Sequence, residues 1–173
     1  FFDAETEPIR APSGVMIRPI DPDLELLDVA RVHNEAFRDH WGHADQSPQA
    51  FAEEWRRETA GHRTDLGLVA QAGGAIVGYL LCEDNYGGDS TLALIAYLGV
   101  LPERRQRGIA RALLATAFRD LQHQGYKGAR LGVDASSPTG ALDLYEKVGM
   151  RAVEQINRYD IVLRPGIDRR SRV

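Results

Sequence analysis

The sequence predicts a single α/β (α+β) domain built on a mixed sheet with helices on both faces. Segments rich in β-branched and apolar residues alternate along the chain with segments whose apolar residues recur at helical spacing. Ala72-Gly73-Gly74 separates two strand-like segments by a hairpin signal. Other strand-like segments are joined through a helical one, which is the connection that parallel strands need. A sheet that contains both kinds of connection is mixed.

The predicted elements follow the order β-α-α-β-β-β-α-β-α-β-β. The strands are expected at Val15–Pro19, Leu66–Gln71, Ala75–Glu83, Thr91–Val100, Ala129–Asp134, Ala152–Ile156 and Arg158–Leu163. The fourth of these strands is almost wholly apolar, which is typical of a central strand that is buried on both faces.

Three of the predicted helices share one start signal. Asp21-Pro22, Ser47-Pro48 and Ser137-Pro138 each place a capping side chain before a proline, a residue suited to the first helical position. The remaining helix begins near Arg107 and ends at Gly125, a residue type favoured just after the last turn of a helix.

The two ends of the chain show neither strand nor helix periodicity. Residues 1–14 are rich in proline and acidic residues and are interpreted as a linker or N-terminal arm, and residues 164–173 as a flexible basic tail. The folded domain is expected over residues 15–163. Because the sequence opens with Phe1 and a linker, we expect this domain to follow an upstream segment.

Composition narrows the function classes. The 173 residues include 21 Lys and Arg against 25 Asp and Glu, which gives a net charge of −4, and 43% of them are apolar, as in ordinary globular proteins. The longest apolar run, Leu92 to Leu101, is shorter than the ~18–20 residues that cross a bilayer. We therefore expect a cytoplasmic protein with no membrane partner. The acidic balance also argues against nucleic acid as a partner.

Cysteine and histidine usage gives no support for a metal. Cys82 is the single cysteine, which excludes an internal disulfide and a Cys-rich zinc site. His40 and His43 lie near Asp45, but they lack a third strong ligand. No metal cofactor is therefore expected.

The segment from Leu98 to Arg111 has the pattern of an anion-binding site. A buried strand ends, a short loop follows and a long helix begins, and the first turn of a helix carries unpaired N–H groups and partial positive charge. Gly108 and Ala110 keep side-chain bulk away from an approaching phosphate. Positive charge is added by Arg104, Arg105, Arg107 and Arg111. The alternative is a solvated helix start whose arginines pair with acids. The segment lacks the Lys-Ser/Thr of a P-loop and the three glycines of a dinucleotide fingerprint.

Two motifs resemble those of a known enzyme family. Arg105-Gln106-Arg107-Gly108-Ile109-Ala110 is similar to the signature R/Q-x-x-G-x-G/A, and the block ALDLYEKVGM at residues 141–150 is similar to A-x-x-L-Y-E-K-x-G-F. Both motifs belong to the GCN5-related N-acetyltransferases (GNAT). The resemblance covers roughly residues 15–163 and implies the GNAT fold, a mixed, mostly antiparallel sheet of six to seven strands flanked by about four helices. Residues 34–42 and 138–141 resemble more narrowly the mycothiol synthase-like acetyltransferases of actinobacteria, which are often tandem repeats.

The resemblance implies acetyl-CoA as the co-substrate. The backbone of Leu98, Gly99 and Val100 would pair with its pantetheine arm, Gly99 would form a bulge that splays two strands apart, and an N–H near Val100 would polarise the thioester carbonyl. The backbone amides that would hold its pyrophosphate are those of Arg105, Gln106, Arg107, Gly108, Ile109, Ala110 and Arg111.

Tyr145 matches the family's catalytic acid, which protonates the departing CoA thiolate. A phenol with a pKa of about 10 is neutral at pH 7 and can give up its proton to a thiolate. From the residues alone, Tyr145 would instead be a core residue of an amphipathic helix.

Two positions depart from the family pattern. The strand that often carries a Glu for the incoming amine has no carboxylate here between Leu92 and Tyr97. Glu35, Glu83 and Asp84 are the substitutes, each acting through water or simply lying on the surface. Where the family often has an Asn that contacts the cofactor, this chain has Ser137. Ser137 is expected either to contact the cofactor or to serve only as a helix cap.

The first helix and the loop after it usually shape the acceptor pocket in the family. His33, His40, Trp41 and His43 concentrate there. Trp41 is expected either to line the acceptor site or to pack over the loop.

These observations predict an acetyl-CoA-dependent N-acetyltransferase that transfers acetyl to a primary amine by direct attack in a ternary complex. The expected partner is a small-molecule amine, together with an upstream second GNAT domain or a second copy in a homodimer. The sequence offers no Cys or Ser nucleophile in a recognisable setting for an acyl-enzyme. The alternative is a catalytically inactive CoA-binding GNAT module of a tandem-repeat protein.

Overall fold

A computed structural model of the chain describes residues 9–40, 44–58, 67–84, 87–134, 140–157 and 161. The strands within these ranges are β1 (Val15–Pro19), β2 (Leu68–Ala72), β3 (Ala75–Glu83), β4 (Leu92–Val100) and β5 (Gly128–Arg130). The helices are α1 (Leu26–Phe37), α2 (Pro48–Glu58), α3 (Ile109–His123) and α4 (Ala141–Lys147), with a short 3-10 turn at Pro102–Arg104.

The strands form one mixed sheet, as the sequence predicts. Their order is β1-β2-β3-β4-β5. The first four strands pair antiparallel, and β5 runs parallel to β4. The hairpin at residues 73–74 joins β2 to β3, and α3 provides the crossover from β4 to β5.

Both faces of the sheet are covered by helices. Tyr79 and Leu81 of β3 point into a core formed with α1 and α2, whereas Leu80 and Cys82 point into a second core formed with α3. This alternation follows from the period of two in a strand. Burial on both faces explains why β3 and β4 are nearly continuous apolar runs.

The predicted helix starts are confirmed to different degrees. The Ser47 hydroxyl accepts a hydrogen bond from the N–H of Ala50 at 3.1 Å, and α2 begins at Pro48. The Asp21 carboxylate instead accepts from the N–H of Asp23 and of Leu24 in a turn, so that α1 begins only at Leu26. The signal at residues 137–138 lies outside the described residues.

The prediction of six to seven strands is wrong for the described part of the chain, which has five. Residues 151–157 form no strand, and the side chains of Val153 and Ile156 are 74% and 82% exposed. Alternating apolar residues form a strand only where a neighbour offers a matching row of N–H and C=O groups. β5, expected to reach Asp134, ends at Arg130 and offers only a short row. The last predicted strand, 158–163, lies outside the described residues except for position 161.

Candidate active site

A gap opens in the sheet beside the second half of β4. β4 and β5 pair only where Leu92–Leu94 meets Gly128–Arg130. From Ile95 to Val100, β4 has no strand on this side among the residues that the structure describes. The main chain at the end of β4 is therefore an open edge on which an extended ligand can pair.

The hydrogen-bond alternation determines which groups line that gap. The N–H of Leu101 donates to the carbonyl of Val77 at 3.0 Å. Because bonded and non-bonded pairs alternate in an antiparallel ladder, Gly99 directs its main-chain groups toward Tyr79 of β3. Leu98 and Val100 direct theirs toward the gap. These two of the three predicted strand residues thus have the orientation that pairing with a ligand requires.

The bulge in β4 is not at Gly99, where the resemblance implies it. The register shifts between the pairs Leu81–Tyr97 and Cys82–Ile95, which leaves Ala96 as the extra residue. Gly99 serves close packing instead. A Cβ at this position would lie 2.6 Å from a ring carbon of Tyr79.

Gly78 is a site residue that the sequence reasoning missed. A Cβ on it would lie 3.1 Å from the carbonyl oxygen of Gly99, 3.2 Å from Val100 and 3.4 Å from Ile109. The absence of a side chain therefore lets the first turn of α3 sit against the end of β4. The available signal was a lone glycine within an apolar strand, which often marks such a close approach.

The loop between β4 and α3 forms a cradle of main-chain N–H groups. Gln106 and Gly108 have φ angles of 58° and 81°, which turn the backbone before α3 begins at Ile109. Within the described residues, none of the six consecutive N–H groups from Gln106 to Arg111 donates to a protein acceptor. Some are the orphan donors of the first helical turn, and the macrodipole of the 15-residue helix adds partial positive charge. Such a cradle binds anions.

The arginines around the cradle increase its positive charge. Arg107 and Arg111 are exposed and Arg104 is half-buried. None of the three pairs with a carboxylate in the described ranges.

Arg105 differs from the other three arginines. Its Nη2 donates to the carbonyl oxygen of Ala36 at 2.7 Å, and its Nε donates to that of Val100 at 3.3 Å. The side chain thus reaches the end of α1 and contacts the end of β4.

Tyr145 lies on α4, half-buried against the core on the α3 side of the sheet. Burial raises the pKa of its phenol above the usual value, so that the hydroxyl is protonated at neutral pH. The helix follows Gly140, which has a φ of 70°. Ser137 lies outside the described residues.

Aromatic side chains form one wall of the core between the sheet and α1. His33 is 8% exposed, and its Nδ1 shares a hydrogen bond of 2.5 Å with the hydroxyl of Tyr79. The ring centroids of Phe37 and Tyr97 lie 4.8 Å and 5.1 Å from that of His33. His33 is therefore part of the core of this wall, whereas His40 follows α1 and packs beside Phe37. Trp41 and His43 lie outside the described residues.

Glu35, Glu83 and Asp84 are the candidates to replace the family's strand Glu. In the described part of the chain, no contact places any of these three carboxylates beside the gap. Glu35 forms an exposed ion pair with Arg38 on the same helix. Glu83 is opposite Leu94, where β4 and β5 still pair, and Asp84 follows it. Among the described residues there is no group of acidic, His or Cys side chains that could hold a metal ion, and no helix is long and apolar enough to cross a membrane.

A strand edge that is open in the described part of the chain, beside an amide cradle and several arginines, has the chemistry that an extended ligand carrying phosphates requires. The chain belongs to the acetyltransferase (GNAT) family, whose model matches residues 26–150.

A curated relative and two solved structures illustrate this similarity. The mycothiol acetyltransferase of Thermobispora bispora is 28% identical over 151 residues, which are 83% of this chain and 50% of that protein. The GCN5-related N-acetyltransferase of Sphaerobacter thermophilus is 31% identical, with a TM-score of 0.69 over 86% of this chain and 45% of that one. A GNAT family acetyltransferase of Brucella melitensis, solved with acetyl-CoA, is 22% identical with a TM-score of 0.63, covers 80% and 83% of the two chains, and shows the fold alone. The chain spans about half the length of the curated relatives it matches.

Proposed function

We propose that this chain binds acetyl-CoA and transfers its acetyl group to the primary amine of a small molecule. The observation that carries the proposal is the run of six N–H groups from Gln106 to Arg111 that have no protein acceptor among the described residues, which offers the coenzyme's pyrophosphate a preformed site. Arg104, Arg107 and Arg111 would screen the phosphate charges. The use of acetyl-CoA supports the cytoplasm as the location.

The free edge of β4 positions the reacting bond. The main-chain groups of Leu98 and Val100 that face the gap would pair with the pantetheine amides, which extends the sheet by a strand-like arm. The N–H of Val100 would polarise the thioester carbonyl, while the carbonyl of the same residue accepts from Arg105.

The reaction would proceed by direct attack in a ternary complex. The amine nitrogen forms a bond to the thioester carbon, and the C–S bond then breaks, with its electron pair leaving on the CoA sulfur. Tyr145 gives its phenolic proton to this thiolate, the amine loses a proton to water, and the Tyr145 phenolate takes a proton back from water before the next turnover. Cys82, buried among apolar neighbours, has no part in such a step.

The acceptor is proposed as a small molecule because of the relatives. Proteins named mycothiol acetyltransferase match more than four-fifths of this chain. A catalytically inactive CoA-binding module is the second candidate, and the observation that favours it is the lack of a carboxylate on β4.

Isothermal titration with acetyl-CoA tests the binding step. We expect saturable binding by the wild type and none by Gly108→Glu, which places a bulky negative side chain at the cradle. Gly74→Glu is the matched control, because it adds the same charge at another glycine with positive φ, 84° against 81°, on the β2–β3 hairpin. A folded wild type that does not bind acetyl-CoA at about millimolar concentration would overturn the proposal.

Turnover then separates the enzyme from the inactive module. CoA release is followed with a panel of amines that comprises the mycothiol precursor, an aminoglycoside, spermidine and free amino acids. Turnover that is lost in Tyr145→Phe supports the acetyltransferase. Binding without turnover by any amine supports the inactive module.

A further inference from the structure

The side chain of Arg105 does not lie in the phosphate cradle that its own loop forms. Its guanidinium bridges the carbonyl oxygen of Ala36 at 2.7 Å and that of Val100 at 3.3 Å. Its N–H donates to the carbonyl oxygen of Pro102 at 3.2 Å, outside the run of open amides. Both the side chain and the main-chain N–H of Arg105 are therefore committed to protein contacts.

The bond to Ala36 holds the last turn of α1. α1 ends at Phe37, so the carbonyl of Ala36 is one of the last four and has no partner within the helix. A cation at this end also interacts favourably with the helix dipole. Arg105 therefore gives this carbonyl a charged donor, the one partner that the described residues provide for it.

The same turn of α1 touches the strand that lines the gap. A Cβ on Gly99 would lie 3.2 Å from the Cβ of Ala36. One turn of helix is thus in contact with β4 and is bonded to the loop that begins the cradle.

Gln46, two residues before α2, is also bonded to this turn of α1. The amide nitrogen of Asn34 donates to the carbonyl of Gln46 at 2.8 Å, and the N–H of Gln46 donates back to the Asn34 side-chain oxygen at 3.2 Å. Any displacement of the last turn of α1 would therefore move residues 38–40, which follow it directly, and residues 44–46, which are bonded to it through Gln46.

We propose that Arg105 is a positioning residue that sets the acceptor side of the site, the end of α1 with residues 38–40 and 44–46, against the thioester on β4. This inference rests on the proposed function and adds to it a residue for the alignment of the amine. Acetyl-CoA is bound through main-chain amides, so loss of the Arg105 side chain should spare that binding and impair the attack. A misplacement of about 1 Å in a reacting group can cost about 100-fold in rate.

The test compares Arg105→Met with Arg107→Met. Arg105→Met removes all the donors but keeps an unbranched side chain. We expect its kcat/KM for the most active amine of the panel to fall by about 10- to 100-fold, while its Kd for acetyl-CoA changes by less than about threefold. The exposed Arg107 lies in the cradle, and Arg107→Met should have the opposite effect on the two constants. Its Kd for acetyl-CoA should rise, and its KM for the amine should stay unchanged. Arg105→Lys retains one donor and should recover part of the loss.

Hydrogen exchange provides a readout that needs no ligand. Amides of residues 30–40 should exchange about tenfold faster in Arg105→Met, while those of α3 keep their protection. If Arg105→Met does not fold, Arg105→Lys gives the same comparison at smaller amplitude.

Two results would overturn the positioning role. One is a loss of acetyl-CoA affinity in Arg105→Met as large as in Arg107→Met, with unchanged amine kinetics. The other is unchanged exchange at the end of α1. A wild type that fails to bind acetyl-CoA overturns the proposed function instead, and the exchange comparison then still decides whether Arg105 holds α1.

Discussion

Tyr79 occupies the space into which a side chain on Gly99 would point. The two residues are partners across β3 and β4, and a Cβ on Gly99 would come within 2.6 Å of the Tyr79 ring and 3.2 Å of Ala36. The glycine thus lets a core aromatic and the end of α1 pack directly against the strand whose other edge faces the gap.

Gly99→Ala should therefore destabilise the fold. The added methyl must displace either the ring of Tyr79 or the last turn of α1, and overpacking of this kind typically costs about 1–3 kcal/mol. Urea denaturation measures the change in the free energy of unfolding. Gly132→Ala is the control, since a Cβ there meets nothing within 4 Å. Equal stability of the two variants would contradict the packing role.

The hydrogen bond between His33 and Tyr79 should couple their contributions to stability. The bond spans 2.5 Å and is buried, and burial raises the pKa of the Tyr79 phenol well above its usual value, so the hydroxyl keeps its proton. Tyr79→Phe leaves the His33 Nδ1 without this partner and should cost about 1–3 kcal/mol. A double-mutant cycle with His33→Leu measures the coupling, expected near 1 kcal/mol. Strictly additive effects would show that the bond contributes nothing specific.

Gly78 should matter for binding more than its place in a core strand suggests. A Cβ on it would press on the carbonyl of Gly99 and on the side chains of Val100 and Ile109 at 3.1–3.4 Å. Gly78→Ala should push the first turn of α3 outward and weaken acetyl-CoA binding several-fold. Isothermal titration measures this change, with Gly132→Ala again as the control. Unchanged affinity would mean that the cradle tolerates the shift.

A structural feature can be predicted from the sequence when the residues that determine it are close together in the chain. The cap at Ser47, the glycine hairpin and the helix start near Arg107, which the structure has at Ile109, depend on neighbouring residues, and they are confirmed. The strand at residues 152–156 was wrong because its formation depends on a distant partner strand.

The same reasoning separates the parts of the candidate site. The open amides follow from a loop-to-helix pattern that is visible in the sequence. The hydrogen bond from Arg105 to Ala36 joins residues 69 positions apart. The motif around Arg105 therefore indicates a positive charge, but it does not indicate which carbonyl oxygen accepts the hydrogen bond. Likewise, only the fold explains that Gly78 makes room for Ile109.

Cys82 should be inert to thiol reagents while the protein is folded. The side chain is 1% exposed, and burial raises the pKa of the thiol to about 12, so the reactive thiolate is scarce at neutral pH. An aromatic disulfide reagent should titrate one thiol in denaturant and none in buffer. Rapid reaction in buffer would show that β3 opens readily, and it would also add a background to CoA-release assays.

Tyr145→Phe should abolish most turnover and leave acetyl-CoA binding intact. General acids contribute about 100- to 10,000-fold, and the phenol must be protonated to act. Because burial raises the pKa of Tyr145, the wild type should keep its acid form through neutral and mildly alkaline pH and lose it only above about pH 10. The same raised pKa means that any stability linked to this group is present below about pH 10 and is lost above it.

The pH profile distinguishes a proton donor from a packing residue. With a turnover-competent amine, the wild type should show an alkaline fall in kcat that Tyr145→Phe lacks, since the variant has no group to titrate there. Tyr126→Phe is the control, because it removes a hydroxyl from another buried tyrosine in the same core and should preserve both kcat and its profile. If Tyr145→Phe keeps the wild-type rate and the alkaline limb, the thiolate takes its proton from another donor, and Tyr145 serves only the packing of α4 against the sheet.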